Sequence, residues 1–224
     1  MDAEKEGLPR NLHFSAQQLP LGWLSPYFVT CTAYFLLWIP EEPPSWVGAL
    51  VKCLPISALV GLLWASPGGR YGRLLQVALL FSALGDIFLI WPEAFVYGVL
   101  AFTQSQLLYI WAFGFRPLQL GLLPPILLTC LPLYGLLLLH LPPDMVLPLS
   151  TYSLALTTML WRGLARGGSA RWGALFFTIS DTTLAWDAFI QPLAHARLLI
   201  MATYYAAQLL IALSAFQSPR LKTN

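Results

Sequence analysis

The chain has 224 residues, 58% of them hydrophobic and 10% charged, with a net charge of +2. A soluble domain carries about 25% charged residues, and the apolar residues here fall in repeated runs of about 17–22, the length that crosses a hydrocarbon core. That pattern excludes a soluble globule with a single core, and the absence of a large basic patch excludes a nucleic-acid surface.

In chain order, residues 1–23 form a mixed-charge tail with Asp2, Glu4, Lys5, Glu6 and Arg10. It lacks the basic start and apolar stretch of a cleavable signal peptide, so the first span is expected to act as an uncleaved anchor. Eight spans follow, at 24–39, 46–65, 73–91, 95–113, 120–139, 145–161, 172–190 and 196–216. Pro and Gly punctuate the connections, as in Pro40-Glu41-Glu42-Pro43-Pro44, Ser66-Pro67-Gly68-Gly69, Pro142-Pro143-Asp144 and Gly167-Gly168. Trp23, Trp38, Trp46, Trp64, Trp91, Trp161 and Trp172 sit near span ends, as an interfacial belt requires. Residues 217–224 form the second tail. Cys31, Cys53 and Cys130 fall inside spans, where a free thiol packs as a small hydrophobe. The expected fold class is therefore all-α: a polytopic membrane protein of eight transmembrane helices.

Basic residues set the expected orientation. The tails carry Lys5, Arg10, Arg220 and Lys222, and the even-numbered connections carry Arg70, Arg73, Arg116, Arg162, Arg166 and Arg171. The odd-numbered connections hold Arg197 against Glu41, Glu42, Glu93 and Asp144. The positive-inside rule then puts both termini in the cytosol.

One stretch occurs twice. Phe81-Ser82-Ala83-Leu84-Gly85-Asp86-Ile87-Phe88-Leu89-Ile90-Trp91 is echoed 95 positions on by Phe176-Phe177-Thr178-Ile179-Ser180-Asp181-Thr182-Thr183-Leu184-Ala185-Trp186. Leu54-Pro55-Ile56-Ser57 is likewise echoed by Leu147-Pro148-Leu149-Ser150. The bundle reads as two parallel four-helix repeats, about 24–113 and about 120–216, related by an axis along the membrane normal. A chance match of short apolar words is the competing reading. As symmetry mates, the third and seventh spans would bring Asp86 and Asp181 to one cavity.

Apart from Arg73 and Arg197 at span starts, among charged residues only Lys52, Asp86, Asp181 and Asp187 lie inside spans. A carboxylate there costs about 2.5–3.5 kcal/mol on insertion scales, which makes it a functional candidate. At 1.5 Å per residue, Lys52 and Asp86 lie about 8–9 Å, Asp181 about 14 Å and Asp187 about 5 Å from the expected exoplasmic ends of their spans. Asp187 reads best as solvated or as a helix-end residue. Gln104, Gln106, Tyr109, Tyr152, Tyr204, Tyr205 and Gln208 complete a polar layer. The plainer reading of such a layer is interhelical hydrogen bonding, worth about 0.6–2 kcal/mol a pair. His13, His140 and His195 lie in the tail or near span ends, so three inward-facing zinc ligands at one level are not supplied. No Gly-x-Ser-x-Gly elbow occurs. Paired carboxylates remain, with no metal and no cofactor expected.

Lys52-Cys53-Leu54-Pro55, Ser82-Ala83-Leu84-Gly85-Asp86, Leu107-Leu108-Tyr109, Ser180-Asp181 and Tyr204-Tyr205-Ala206-Ala207-Gln208, taken in order, resemble the YhhN family of integral membrane lysoplasmalogenases. The resemblance covers nearly the whole chain. It implies hydrolysis of the vinyl ether bond of a lysoplasmalogen to a fatty aldehyde and glycerophosphocholine or glycerophosphoethanolamine, with Asp86 and Asp181 as the catalytic acids. It also implies an endoplasmic reticulum membrane. One departure is Gln106, where relatives often carry a His before Leu-Leu-Tyr.

The residues suit that reaction. A vinyl ether is cleaved when its β-carbon takes a proton, and water traps the resulting oxocarbenium ion. One neutral carboxyl can give the proton while a second, as the anion, stabilises the cation, a division of labour seen in glycosidases. Two carboxyls in such a site readily share one proton. The sequence leaves open which Asp is the donor. Lys52, Tyr109, Tyr152, Tyr204 and Gln208 are the expected substrate contacts, with Lys52 either holding one Asp ionised or meeting the substrate phosphate. The expected partners are a lysophospholipid and membrane lipids, with a homodimer left open. The alternatives are a transporter that uses the same acids as proton-relay groups, and a receptor or scaffold, for which the short loops offer little surface.

Overall fold

The computed structural model describes residues 21–40, 43–66 and 69–217. The rest of the expected cytosolic tails, with Lys5, Arg10, His13, Arg220 and Lys222, and the connection residues Glu41, Glu42, Pro67 and Gly68 lie outside the described residues.

Apolar runs of this length become helices because hydrocarbon offers no partner for backbone N–H and C=O groups, which must therefore pair within the segment. Among the described residues eight α-helices result: α1 (Ser25–Leu37), α2 (Trp46–Ala65), α3 (Arg70–Phe88), α4 (Phe95–Phe113), α5 (Leu123–Leu138), α6 (Pro143–Arg166), α7 (Gly168–Phe189) and α8 (Ala196–Leu213). No strand occurs among the described residues. Four helices are long and apolar enough to cross a membrane on composition alone: α2, α3, α5 with its leading 3-10 turn, and α8. Of the others, α1 is short, and α4, α6 and α7 carry polar side chains, among them Gln106, Tyr152 and Asp181.

Local chemistry fixes the ends. The Ser45 hydroxyl accepts from Gly48 N at 3.0 Å and caps α2. Pro stands in the first turns of α1, α5 and α6, where its missing N–H has no helical partner to lose. The turn between α6 and α7 differs from the sequence expectation. Residues 162–171 were read as a connection, yet both helices continue to meet at Gly167, with φ +79° at Gly167 and +61° at Gly168. Glycine takes these left-handed angles without the penalty of a Cβ. The extension is held from inside. Arg162 is fully buried, and its Nε and Nη1 donate to the carbonyls of Gly114 at 2.6 Å and Pro117 at 3.1 Å. The Arg166 guanidinium lies 3.9 Å from the Tyr71 ring centroid. A rule that assigns Arg to solvated loops misses a guanidinium that caps the end of a neighbouring helix.

Consecutive helices pack antiparallel through short connections. Each of α1 to α4 packs on its neighbour in sequence, as does each of α5 to α8, and the halves join through α4 against α6 and α2 against α8. The closest seams lie at glycines. A Cβ on Gly173 of α7 would stand 3.0 Å from the α8 backbone at Ala207 O and Ile211 N. One on Gly85 would stand 2.6 Å from the Phe102 ring. By contrast, α5 touches only α6 and α7 lightly, and most of it is exposed. This arrangement leaves a cleft between α5, α6 and α7 that opens into the centre of the bundle.

Candidate active site

That cleft is a cavity of about 710 Å³, and Asp86, Asp181, Lys52, Tyr152 and Tyr204 all line it. Its size is in the range of small-molecule sites. Asp86 comes from the last turn of α3 and Asp181 from the C-terminal half of α7, so the third and seventh helices supply the two acids to one space.

Each acid receives a tyrosine hydroxyl. Tyr204 on α8 donates to Asp86 Oδ2 at 2.6 Å, and Tyr152 on α6 donates to Asp181 Oδ2. Their other surroundings differ. Lys52 Nζ on α2 stands 3.9 Å from Asp86 Oδ1. Among the described residues no cationic side chain pairs with Asp181 in this way. The Lys52 backbone is itself pinned, because the Tyr205 hydroxyl donates to its carbonyl at 2.8 Å while Tyr27 donates to the Tyr205 carbonyl at 2.8 Å. Tyr204 and Tyr205 are adjacent on α8, so one turn of that helix orients both the acid and its cation.

Two expected substrate contacts lie elsewhere. Tyr109 and Gln208 are fully buried and do not line the cavity. The Tyr109 hydroxyl donates to Gln208 Oε1 at 2.6 Å behind the wall. Depth along a helix identified them as polar and central, whereas the face they occupy turns them toward each other. Gln104 points outward and is exposed. Gln106 is fully buried, and its Nε2 donates to the Tyr152 hydroxyl at 3.4 Å. This places Gln106 behind Asp181 in a chain of contacts. Asp187 accepts from Leu193 N at 2.7 Å and ties the end of α7 to the next loop, as a helix-end residue does.

The cavity mouth holds a group that sequence reasoning passed over. Arg197 lines it, with its guanidinium 4.4 Å from the Trp38 ring centroid and its Nε donating to the Tyr34 hydroxyl at 3.2 Å. The available signal was its position as the lone basic residue of the odd-numbered connections. Among the described residues no three His, Cys, Asp or Glu side chains gather as a metal site would need.

The arrangement can place a carboxylic acid and a carboxylate on either side of a small group, with water admitted from the mouth and an apolar arm behind. Comparison with known proteins bears on which group. The YhhN family matches residues 47–215. A pig protein named "Lysoplasmalogenase TMEM86B" is 67% identical over the full length of both chains. The human protein of that name is 60% identical over the same extent. A Mycobacterium bovis protein named "Lysoplasmalogenase" is 33% identical over 71% of this chain and 67% of its own. No solved structure matches.

Proposed function

This chain belongs to the YhhN family, and from that premise we propose that it is a membrane lysoplasmalogenase in which Asp86 and Asp181 divide the work of cleaving a vinyl ether. The observation that carries the division is the unequal setting of the two acids in one cavity: Asp86 faces the Lys52 ammonium, and Asp181 faces a tyrosine hydroxyl without a cation beside it. A carboxylate next to an ammonium is the natural anion of the pair. Asp181 is then the proton donor.

The sequence of events follows. The Asp181 carboxyl gives its proton to the vinyl β-carbon as the double-bond electrons form the new C–H bond. The remaining carbon–oxygen unit becomes an oxocarbenium ion, which the Asp86 carboxylate stabilises in a site of low dielectric, where such interactions are strongest. Water adds to the cationic carbon and returns a proton to Asp181. The hemiacetal collapses to a fatty aldehyde and the glycerophospho alcohol. Tyr204 and Tyr152 fix the carboxyl orientations, and the Tyr204 bond to the Asp86 carboxylate, being charge-assisted, is the stronger of the two. Lys52 keeps Asp86 anionic.

The same reading includes a duplicated four-helix unit, since exchanging α1–α4 with α5–α8 maps α2 against α8 onto α6 against α4. It also includes residence in the endoplasmic reticulum membrane with both termini cytosolic. A homodimer is compatible with it. The test is incubation of the purified protein with a lysoplasmalogen and its ester-linked analogue. Aldehyde from the first and no cleavage of the second supports the reading; cleavage of both, or of neither, opposes it.

A further inference from the structure

The cavity is longer than the carboxylate layer requires. At 1.5 Å per residue, Tyr152 stands about 21 Å and Asp181 about 20 Å from the α6–α7 hinge, so the reacting layer is level on both helices. Beyond it toward the hinge, the lining turns to Leu156, Leu160 and Leu164 of α6, Leu175 of α7, and Ile126 and Leu122. Leu164 lies about 18 Å past Tyr152 by the same rise. Of the three threonines in this arm, Thr129 and Thr178 donate to their own helices at Pro125 O and Ala174 O, and Thr157 stands between Leu156 and Leu160. The far end is built firmly. The 3-10 turn Leu120–Leu122 brings Leu122 under the arm, and α6 holds the loop before it through Trp161 Nε1 to Gln119 O at 3.2 Å and the Arg162 bonds to Gly114 and Pro117.

We propose that this arm holds the alkenyl chain of the substrate, and that Leu175, about 9 Å past Asp181, and Leu164 at its floor set the chain length the enzyme prefers. The inference rests on the lysoplasmalogenase reading. In such a substrate the chain begins at the vinyl ether itself, so a reacting carbon beside Asp181 fixes the first atom of the chain. The headgroup side then lies toward the mouth with Arg197 and Asp187, and the chain has the apolar arm to fill. Extrusion of the chain into the bilayer past the loosely packed α5 is the contrary arrangement, and it would make turnover indifferent to the floor.

The test uses the purified full-length protein and lysoplasmalogens of one headgroup with a short or a long alkenyl chain. The readout is the ratio of kcat/KM for long over short chain. Leu164→Trp and Leu175→Trp should each lower that ratio about tenfold or more, since one methylene accepted or rejected by an apolar pocket changes kcat/KM by about 10–200-fold. Leu164→Ala and Leu175→Ala should raise it. A ratio unchanged in the variants overturns the inference while leaving the lysoplasmalogenase reading intact. If both Trp variants lose all turnover, the Ala variants decide, and an unmoved ratio there overturns it equally. Inactivity of the unaltered protein toward every lysoplasmalogen would instead count against the underlying reading.

Discussion

The Tyr204 hydroxyl on α8 reaches Asp86 Oδ2 on α3 at 2.6 Å, so the orientation of this cavity-lining carboxyl depends on a residue 118 positions further along the chain. A hydrogen bond to a charged group contributes about 1.5–3 kcal/mol. Tyr204→Phe should therefore lower kcat by about 10–150-fold with little change in KM, because the ring still packs against Phe102 and Phe177. A rise in KM at constant kcat would mean that Tyr204 binds substrate rather than positioning Asp86.

Lys52 and Asp86 predict a pattern in stability as well as in activity. Removing one partner of a buried pair leaves an uncompensated charge and costs about 3–5 kcal/mol, whereas replacing both is often neutral. Lys52→Met should lower the thermal midpoint in detergent, and Lys52→Met with Asp86→Asn should restore most of it without restoring turnover. Equal midpoints for the single variant and the unaltered protein would show that the pair, at 3.9 Å, contributes nothing.

Tyr109→Phe separates the layer behind the wall from the wall itself. It strips the buried Gln208 Oε1 of its donor, and an orphaned buried acceptor costs about 1–3 kcal/mol. The variant should unfold at lower temperature yet keep kcat within about a factor of three of the unaltered protein, since neither residue lines the cavity. A large loss of kcat without loss of stability would return Tyr109 to the reacting layer.

Gly173→Ala probes the seam between α7 and α8. The new methyl would meet α8 backbone atoms at 3.0 Å, which cannot swing aside as a side chain can. Overpacking of this kind costs about 1–3 kcal/mol. Gly61→Ala, with nothing within 4 Å of its Cβ, is the control and should be neutral or stabilising.

Which features were legible beforehand follows from what a one-dimensional pattern encodes. Apolar run length and Pro–Gly punctuation mark the helices, and α2 and α4 fall on 46–65 and 95–113 as read. The echo around Asp86 and Asp181 points to two matching helices, and both acids reach one cavity. Depth is additive along a helix and so can be counted, but azimuth is not fixed when nearly every face is apolar. That is why Tyr109 and Gln208 passed for wall residues and Gln104 for a member of the layer. Arg162 escaped for a related reason. Its charge is satisfied by carbonyls from a different segment, 114–117, and no local pattern announces such a bond. The leucine-lined arm was equally silent, because its side chains are chemically those of the lipid-facing surface.

The central claim is that two carboxyls in one cavity perform the cleavage, and the direct measurement is fatty aldehyde release from a lysoplasmalogen by purified Asp86→Asn and Asp181→Asn proteins. Each variant keeps its size and a hydrogen-bonding oxygen for Tyr204 or Tyr152, so each should enter the membrane normally and release no aldehyde above background. Turnover near that of the unaltered protein in either variant would contradict the account.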